Sequence, residues 1–207
     1  GVVEDLLRVE RSRIRVTPHG VRFPDQGTSP ARGKFILHVG AIQKRKNLVR
    51  LVEAFESACG PEWRLVLVGS DGFGAEEVKA KIAASPARER IDVTGWLDDQ
   101  SVHGLYARAG VFAFPSLDEG FGIPVLEAMA QGAPVIASNR AALPEVCGGA
   151  AALIDPFDTQ ALARALSDLT SHESLRDQLR TRGLERARQF TWERTADLTW
   201  NLYRELI

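Results

Sequence analysis

"KFILHVGAIQKRKNLVRLVEAFESACGPEWRLVLVG", residues 34–69, places two short apolar runs on either side of a segment with helical periodicity. The runs KFILHV and WRLVLV are apolar at successive positions rather than alternating, as strands covered by helices on both faces are. Four further runs, RIDVTG, GVFAFP, APVIAS and AALID, are each followed by a turn and a helix-like segment. This alternation is typical of βαβ units. We therefore predict an α/β fold built on a doubly wound parallel sheet.

The two ends of the chain have different patterns. After the last strand, DPFDTQALARALSDL predicts an amphipathic helix with Asp158 as its cap. Two more helices are expected near residues 174–189 and 192–206, the second capped by Thr191. At the other end, GVVEDLLRVERSRIRV predicts a helix followed by a strand, and the proline- and glycine-rich segment up to about Pro30 predicts an interdomain linker.

The bulk composition is that of an ordinary globular protein. The 207 residues are 44% hydrophobic and 26% charged, and the formal net charge of −1 gives no overall field that attracts nucleic acid. Cys59 and Cys147 are far apart and form no disulfide framework, which favours a reducing, cytoplasmic setting. No signal peptide or membrane-spanning run is recognisable, and the four histidines lack metal-ligand spacing. We predict no nucleic-acid partner and no metal site.

The site is expected where the strands end. Doubly wound sheets bind ligands at the carboxyl ends of their strands, near a topological switch point. Just after the first strand, Lys44, Arg45 and Lys46 precede a helix that starts near Asn47, where the helix dipole disfavours cations. An anionic ligand would reverse that cost, whereas a solvated basic turn is the alternative. The next such loop, LVGSDGFGAEEV, lacks GxGxxG spacing and predicts tight turns with some backbone approach to a ligand.

A second anion-binding feature carries two carboxylates of its own. In DEGFGIPVLEAMAQG, residues 118–132, a glycine turn leads through Pro124 into an apolar helix, whose start suits an anion. Glu119 and Glu127 lie on either side of this turn, where one could accept hydrogen bonds from a sugar and the other from a ribose. The alternatives are a solvated loop acid for Glu119 and a helix-capping role for Glu127.

These residues belong to a recognisable pattern. FPSLDEGFGIPVLEAMAQGAPVIASNRAALPEV closely resembles the donor-binding signature of the retaining glycosyltransferases of family 4, with its two glutamates separated by seven residues. HVGAIQKRKNLVRLVEAF, VTGWLDDQSVHGLYARAGVFAFPS and AALIDPFD are similar to further segments of that family in the same order, and FTWERTADLTWNLYREL resembles its closing helix. The resemblance covers nearly the whole chain from about Arg13.

The resemblance implies a GT-B enzyme with two Rossmann-like domains and an active site between them. This chain is then the carboxyl-terminal, donor-binding half. Residues 1–30 would be the end of the acceptor-binding domain and the linker, residues 31–190 the nucleotide-sugar-binding Rossmann-like domain, and residues 191–207 the closing helix. The acceptor-binding domain itself is expected to lie outside this chain.

The resemblance also implies roles for individual residues. Arg45 and Lys46 would bind the diphosphate, Glu127 the ribose hydroxyls and Glu119 the hydroxyls of the donor sugar. The positions whose backbone contacts the sugar and phosphate in the family correspond to Gly120, Phe121, Gly122 and Ile123. The position whose backbone contacts the base corresponds to Leu97. Ala41 stands where many members have an arginine, for which Lys44 or Arg45 would compensate.

The implied activity is the transfer of a hexose, such as mannose from GDP-mannose, with retention and without a metal or other cofactor. The donor would be a GDP- or UDP-hexose, and the acceptor a glycan or lipid-linked sugar bound through the amino-terminal domain. The isolated domain would bind nucleotide without transferring sugar, and the full-length enzyme could lie peripherally at a membrane. The alternatives are a noncatalytic nucleotide-binding module and a GT-B sugar-nucleotide epimerase relative, which needs catalytic acids and a histidine in the crevice.

Overall fold

The predicted parallel sheet is present in the computed structural model, which describes residues 2–23 and 30–205. In chain order its strands are β1 Phe35–Val39, β2 Arg64–Val68, β3 Ile91–Gly95, β4 Val111–Phe114, β5 Val135–Ser138 and β6 Ala152–Ile154. The described strands form one six-stranded sheet in the order β3-β2-β1-β4-β5-β6, and every neighbouring pair is parallel. The prediction of a doubly wound α/β fold is confirmed, and each of the six apolar runs contains one strand.

Helices cover both faces of the sheet because successive strand residues point to opposite sides. The described helices are α1 Val2–Leu7, α2 Leu48–Ala58, α3 Ala75–Ala83, α4 Asp99–Arg108, α5 Ile123–Ala130, α6 Leu143–Cys147, α7 Thr159–Ser171, α8 Glu173–Ala187 and α9 Trp192–Glu205. Ile36 belongs to the core under α2, α3 and α7, whereas its neighbour Leu37 belongs to the core under α4, α5, α6 and α8. Both side chains are completely buried.

The topological switch point lies between β1 and β4. From β1 the chain builds outward to β3, then returns to form β4 on the other side of β1. Ile36 of β1 pairs with Leu65 of β2 on one side and with Val111 of β4 on the other. The loops that leave the carboxyl ends of β1 and β4 therefore turn in opposite directions, which opens a crevice between them.

Both predicted helix caps are present near the carboxyl end. Asp158 accepts a hydrogen bond from the backbone amide of Ala161 at 2.8 Å, and the Thr191 hydroxyl accepts one from the amide of Arg194 at 3.1 Å. The bounds of the two helices that these residues cap, α7 and α9, differ by only a few residues from the predicted bounds. Among the described residues, no helix is both long and apolar enough to cross a lipid bilayer.

The prediction of a strand at the end of GVVEDLLRVERSRIRV is wrong. Helix α1 is followed by a 3-10 turn at Arg11–Arg13 and then by irregular backbone up to residue 23. No strand within the described residues pairs with this segment, and a strand needs a neighbour to satisfy its backbone. The segment is instead held against the other end of the chain, since the amide of Val21 donates to the carbonyl of Phe190 at 2.9 Å.

Candidate functional site

A cavity of about 600 Å³ lies at the carboxyl ends of β1, β2 and β3. Its walls come from the loops after these strands, from the start of α4, from α5, and from the two ends of the chain. The side chains and backbone that line it include Gly20, Arg22, Gly40, Ala41, Gly69, Ser70, Trp96, Leu97, Asp99, His103, Ile123, Glu127 and Trp192. This is the position at which doubly wound sheets bind their ligands.

The floor of the cavity is bare backbone. Gly40 and Gly69 follow β1 and β2 with φ angles of +149° and +147°. A Cβ atom on Gly69 would lie 2.1 Å from the carbonyl oxygen of Gly40, so only glycine lets the two loops approach this closely. The amide of Ile42 also donates to the carbonyl of Ser70 at 2.9 Å. The tight turns predicted after the second strand are therefore present.

The basic triplet forms a 3-10 turn, Lys44–Lys46, directly before α2. Asn47 follows with φ +60°, and its side-chain amide donates to the carbonyls of Pro115 at 3.1 Å and Pro156 at 2.7 Å. These two bonds tie the turn to the loops after β4 and β6. The backbone of the turn is thus fixed against the switch-point crevice, whereas the side chains of Lys44 and Arg45 are exposed.

Glu119 meets two of the three cations. The Lys46 ammonium lies 2.7 Å from Oε1 of Glu119, and the Arg45 guanidinium lies 2.9 Å from Oε2. The side chains of Lys46 and Glu119 are only 8% and 9% exposed, whereas that of Arg45 is 43% exposed. Arg45 also donates to the carbonyl of Asp118. Glu119 is therefore not the solvated loop acid of the alternative interpretation.

Burial and ion pairing act in opposite directions on this pair. Burial alone would raise the pKa of Glu119, but hydrogen bonds from Lys46 and Arg45 outweigh it and lower the pKa below its usual value. For Lys46, burial is the largest influence and lowers the pKa, although Glu119 opposes this change. Glu119 is thus held as an anion, and it supplies the negative charge that the basic turn needs in the absence of a ligand.

His38 lies beneath this ion pair. It is completely buried, stacks on Phe114 at 5.5 Å between ring centroids, and has Nδ1 3.0 Å from the carbonyl oxygen of Ala113. Burial lowers its pKa to about 4, so the ring is neutral at pH 7. A proton on Nδ1 is then donated to Ala113, and Nε2 has no hydrogen-bond partner among the described residues. A polar residue inside the apolar run KFILHV was the sequence signal for it.

The glycine turn before α5 is anchored from inside. Gly122 caps α5 with φ +99°, and a Cβ atom there would lie 2.5 Å from Leu143. The ring of Phe121 packs edge-on against those of His19 at 5.1 Å and Phe190 at 6.1 Å. The aromatic side chain therefore fixes the turn from below, and Ile123 at the first helical position is 39% exposed and faces the cavity.

Glu127 is the fifth residue of α5 and lines the cavity. Its Oε2 accepts a hydrogen bond from the hydroxyl of Tyr106, which is completely buried, at 3.1 Å. Burial, followed by the charge of Glu127, raises the pKa of Tyr106 well above its usual value, so the phenol remains a donor. Within the described residues no backbone amide donates to the Glu127 carboxylate, and its place beyond the first helical turn does not suit a cap.

The described residues contain no group of three or more histidine, cysteine, aspartate or glutamate side chains arranged to hold a metal ion.

Residues 22–186 match the family described as Glycosyl transferases group 1. The chain belongs to this family. The membership predicted from the donor-binding signature is thereby confirmed.

Several proteins and solved structures are similar to this chain over most of its length. The O-antigen chain mannosyltransferase B of Escherichia coli is 35% identical over 176 residues, which cover 83% of this chain and 46% of that protein. The structure of sucrose-phosphate synthase from Thermosynechococcus elongatus superposes with a TM-score of 0.78 and 32% identity over 86% of this chain and 46% of that one. HepE of Anabaena in complex with UDP-glucose has a TM-score of 0.75 and 22% identity over 83% and 49% of the two chains. The chain spans about half the length of the relatives it matches, or less.

The residues predicted for this group 1 glycosyltransferase chain fall into two sets. Leu97, Ile123 and Glu127 line the cavity. The other predicted residues, Arg45, Lys46, Glu119 and Gly120–Gly122, do not line it. Lys46 borders the cavity through Gly40, where a Cβ atom would be 3.2 Å from the lysine Cε, and Gly122 directly precedes the lining residue Ile123. The structure brings both sets to one edge of the sheet.

Sequence reasoning missed several residues that line this cavity. Trp96, which is 74% exposed, directly precedes Leu97, so an exposed tryptophan beside a predicted base contact was the available signal. Asp99 and His103 follow on the first turns of α4. Arg22 and Trp192 come from the two ends of the chain, and no local pattern predicts that these ends meet over the sheet.

Proposed function

We propose that this chain is the donor-binding domain of a retaining, metal-independent hexosyltransferase that uses a nucleotide sugar. The domain comprises residues 31–190, with residues 1–30 as the end of the acceptor domain and linker and residues 191–207 as the closing helix. The observation that carries this proposal is the meeting of Lys46, Arg45 and Glu119 at the switch point, beside a cavity that contains Glu127. Cations for a diphosphate and carboxylates for sugar hydroxyls are thus available on one edge of the sheet.

In this proposal the diphosphate binds next to Lys46 and Arg45 and shares them with Glu119. Oε1 of Glu119 already accepts a hydrogen bond from Lys46, and Oε2 forms an ion pair with Arg45, but a carboxylate has about four acceptor positions. Glu119 therefore keeps capacity for hydroxyl groups of the donor sugar. The amides of Gly120, Phe121, Gly122 and Ile123 at the start of α5 would donate to the sugar and to the phosphate.

The nucleoside would occupy the cavity. Glu127 would accept hydrogen bonds from the ribose hydroxyls, and the Tyr106 hydroxyl would hold the carboxylate in place. The backbone of Leu97 would contact the base. Mannose from GDP-mannose is our preferred donor because the Escherichia coli relative is described as a mannosyltransferase, whereas the more distant HepE is described in complex with UDP-glucose.

The chemistry would be electrostatic rather than covalent. As the bond between the sugar C1 and the diphosphate oxygen breaks, the acceptor hydroxyl forms a bond to C1 on the same face and passes its proton to the departing diphosphate oxygen. Lys46, Arg45 and the amides at the start of α5 would stabilise the negative charge that develops on the leaving diphosphate. Glu119 would position the sugar without attacking it. No protein-bound cofactor takes part, and the acceptor, a glycan or lipid-linked sugar, would bind through the amino-terminal domain.

Calorimetry with GDP and UDP in the presence of a chelator tests the binding half of this proposal. We expect a dissociation constant of tens to hundreds of micromolar for one of them, or about 5 to 6 kcal/mol, because the acceptor domain is absent. No sugar should be transferred by the chain alone. Failure to bind either nucleotide, or binding only with added metal, would contradict the proposal.

One observation supports a sugar-nucleotide epimerase as the second candidate function. Asp99, His103 and Glu127 all line the cavity, and acids with a histidine are what a sugar-nucleotide epimerase requires. Incubation of the chain with UDP-N-acetylglucosamine, followed by NMR of the sugar protons, distinguishes the two: a hexosyltransferase domain leaves the sugar unchanged. A noncatalytic nucleotide-binding module would bind nucleotide equally, and is excluded if the full-length protein transfers hexose and loses that activity in Glu119→Gln.

A reducing, cytoplasmic setting, with the full-length enzyme peripheral at a membrane, is part of the same proposal. It rests on the two cysteines, which are both unpaired and buried.

A further inference from the structure

A second cavity, also of about 600 Å³, lies at the amino-terminal edge of the sheet. It is separate from the cavity at the carboxyl ends of β1, β2 and β3, which is the proposed donor crevice. It opens beside the residues that precede β1, β2, β4 and β5, and the first half of α8 forms one wall. Four of its lining residues are cations: Arg32, Lys34, Arg176 and Arg180. Glu173 and Asp177 also line it and are exposed, so the cavity is locally cationic in a chain whose formal net charge is −1.

Two of the arginines are partly committed to the fold. Arg32 donates to the carbonyls of Tyr106 at 3.1 Å, Ala109 at 2.9 Å and Gln131 at 2.6 Å, at the carboxyl ends of α4 and α5. Arg176 donates to the carbonyl of Leu169 at 2.6 Å near the end of α7, and its guanidinium lies over the ring of Trp63 at 5.8 Å. These bonds fix the positions of two positive groups at the cavity wall.

The remaining hydrogen-bonding capacity is not used by the protein. Nε of Arg32 is buried and has no partner among the described residues. Arg180 is half-buried, and within residues 2–23 and 30–205 its guanidinium makes no hydrogen bond or ion pair. Burial, followed by the charge of Arg180, lowers the pKa of Arg32 to about 10. The two like charges thus lie together, and among the described residues no carboxylate forms an ion pair with either guanidinium.

Gly132 lets the two guanidinium groups approach each other. A Cβ atom on Gly132 would lie 2.9 Å from Nη2 of Arg32 and 3.4 Å from Nε of Arg180, so both groups lie against the same bare backbone. Guanidinium groups bind phosphate oxygens in pairs of parallel hydrogen bonds, and their repulsion is relieved when an anion lies between them.

We propose that this second cavity binds a phosphate group, which Arg180 contacts and whose charge Arg32, Lys34 and Arg176 help to neutralise. The cavity is larger than a phosphate alone, so the ligand is a phosphorylated small molecule or a phosphate-bearing headgroup. Glu173 and Asp177 would accept hydrogen bonds from hydroxyl groups of the same ligand. This phosphate site is remote from the donor crevice, and the inference does not depend on the function proposed for the donor crevice.

Titration with inorganic pyrophosphate, followed through the tryptophan indole NH signals in NMR spectra, tests this inference. Trp63 lines the second cavity, whereas Trp96 and Trp192 line the donor crevice, so the two sites report separately. We expect the Trp63 signal to shift in a saturable way, also in Lys46→Met, in which pyrophosphate binding at the basic turn is weakened. Assignment by Trp63→Phe, Trp96→Phe and Trp192→Phe identifies the signals.

A pair of variants on α8 makes the test specific. Arg180→Gln should weaken the Trp63 response at least tenfold, whereas Arg182→Gln, which removes the same charge from an exposed position on the same helix, should change it less than twofold. Equal effects of the two variants would overturn the proposal, because the attraction would then be a general charge effect. So would a response confined to Trp96 and Trp192, or no Trp63 shift up to about 10 mM pyrophosphate, which corresponds to only about 3 kcal/mol.

Vesicle flotation then identifies the source of the phosphate. Binding to vesicles that contain phosphatidic acid, but not to phosphatidylcholine alone, and its loss in Arg180→Gln but not in Arg182→Gln, would identify a lipid headgroup. Pyrophosphate binding without flotation would identify a free phosphorylated compound.

Discussion

The ammonium of Lys46 lies 2.7 Å from the carboxylate of Glu119, and both side chains are less than a tenth exposed. Lys46 comes from the turn after β1, and Glu119 from the loop after β4. Their pairing across the switch point explains why a helix start suited to an anion keeps a carboxylate: Glu119 is the internal counterion of the basic turn. A bound diphosphate would have to share these cations with it.

The two glutamates should affect nucleotide binding in opposite directions. Glu119→Gln should raise the affinity for plain nucleoside diphosphate several-fold, since removing a charge near the phosphate relieves about 1 kcal/mol of repulsion. Glu127→Gln should lower the affinity about tenfold because the ribose hydroxyls lose a charged acceptor. Calorimetry with whichever of GDP and UDP binds more tightly measures both changes.

Thermal melts and one control variant complete this test. Glu119→Gln should lower the melting temperature in the absence of ligand, because breaking a buried ion pair costs on the order of 3 kcal/mol. Glu76→Gln, whose side chain is 88% exposed, should change neither property. If Glu127→Gln lowers only the melting temperature and leaves nucleotide affinity intact, Glu127 is a structural residue and the ribose assignment is wrong.

Two lysines of the same turn should differ in their contribution to diphosphate binding. Lys46→Met should weaken nucleoside diphosphate binding at least tenfold, since a buried charged hydrogen bond contributes roughly 1.5 to 3 kcal/mol. Lys44→Met should have less than a threefold effect, because Lys44 is 65% exposed and its ammonium, within the described residues, pairs only with Glu77 at 3.9 Å. Titration by calorimetry gives both values. The nucleoside without phosphates should bind the two variants equally, and equal losses for the diphosphate would contradict the assignment of Lys46.

Buried His38 should make the protein sensitive to mild acid. Burial lowers its pKa from 6.5 to about 4, so as the pH falls through 6.5 the unfolded chain takes up a proton that the folded chain refuses. The contribution of neutral His38 to the free energy of unfolding is therefore fully present above pH 6.5 and is lost progressively as the pH falls from 6.5 to 4. From pH 7 to pH 5 this residue should account for a loss of about 2 kcal/mol.

Urea unfolding at pH 7 and pH 5 measures this contribution. His38→Phe should lose about 2 kcal/mol less than the wild type between the two pH values, whereas His172→Phe, at an exposed position, should lose as much as the wild type. An unchanged pH dependence in His38→Phe would show that the protonation of another group governs the acid response.

Two glycine substitutions should have opposite effects on stability. Gly69→Ala places a Cβ atom 2.1 Å from the carbonyl oxygen of Gly40 and should cost more than about 3 kcal/mol, with loss of nucleotide binding as the floor is displaced. Gly104→Ala, inside α4 with no atom within 4 Å, should gain about 0.5 to 1 kcal/mol. Urea unfolding measures both, and a Gly69→Ala variant as stable as the wild type would contradict the close approach of the two loops.

Much of the fold was predictable because it depends on local periodicity. Apolar runs that alternate with helical segments predicted all six described strands, and Asp158 and Thr191 were correctly predicted as caps because capping uses amides two or three residues away. The prediction failed at residues 14–16, where a β-rich run has no neighbouring strand in the described part of the chain. Strand propensity alone does not satisfy a backbone.

The candidate site was predictable residue by residue only where a motif stands in one segment. The glycine turn and Glu127 follow each other along the chain, and a basic triplet before a helix is visible as a broken local rule. The sequence pattern did not indicate that Trp96 and Trp192 line the same cavity. Nor did it indicate the hydrogen bond from Tyr106 to Glu127, which are 21 residues apart.

The sequence by itself determined the six strands of the sheet, the helices that cover it and the family, since these follow from residue type and short-range spacing. Only the tertiary structure decided that Lys46 and Glu119, 73 residues apart, neutralise each other. That contact depends on β4 lying beside β1 rather than at the edge of the sheet beside β3. Strand order is set by how helices pack on both faces of the whole sheet, and this is a property that no single segment contains.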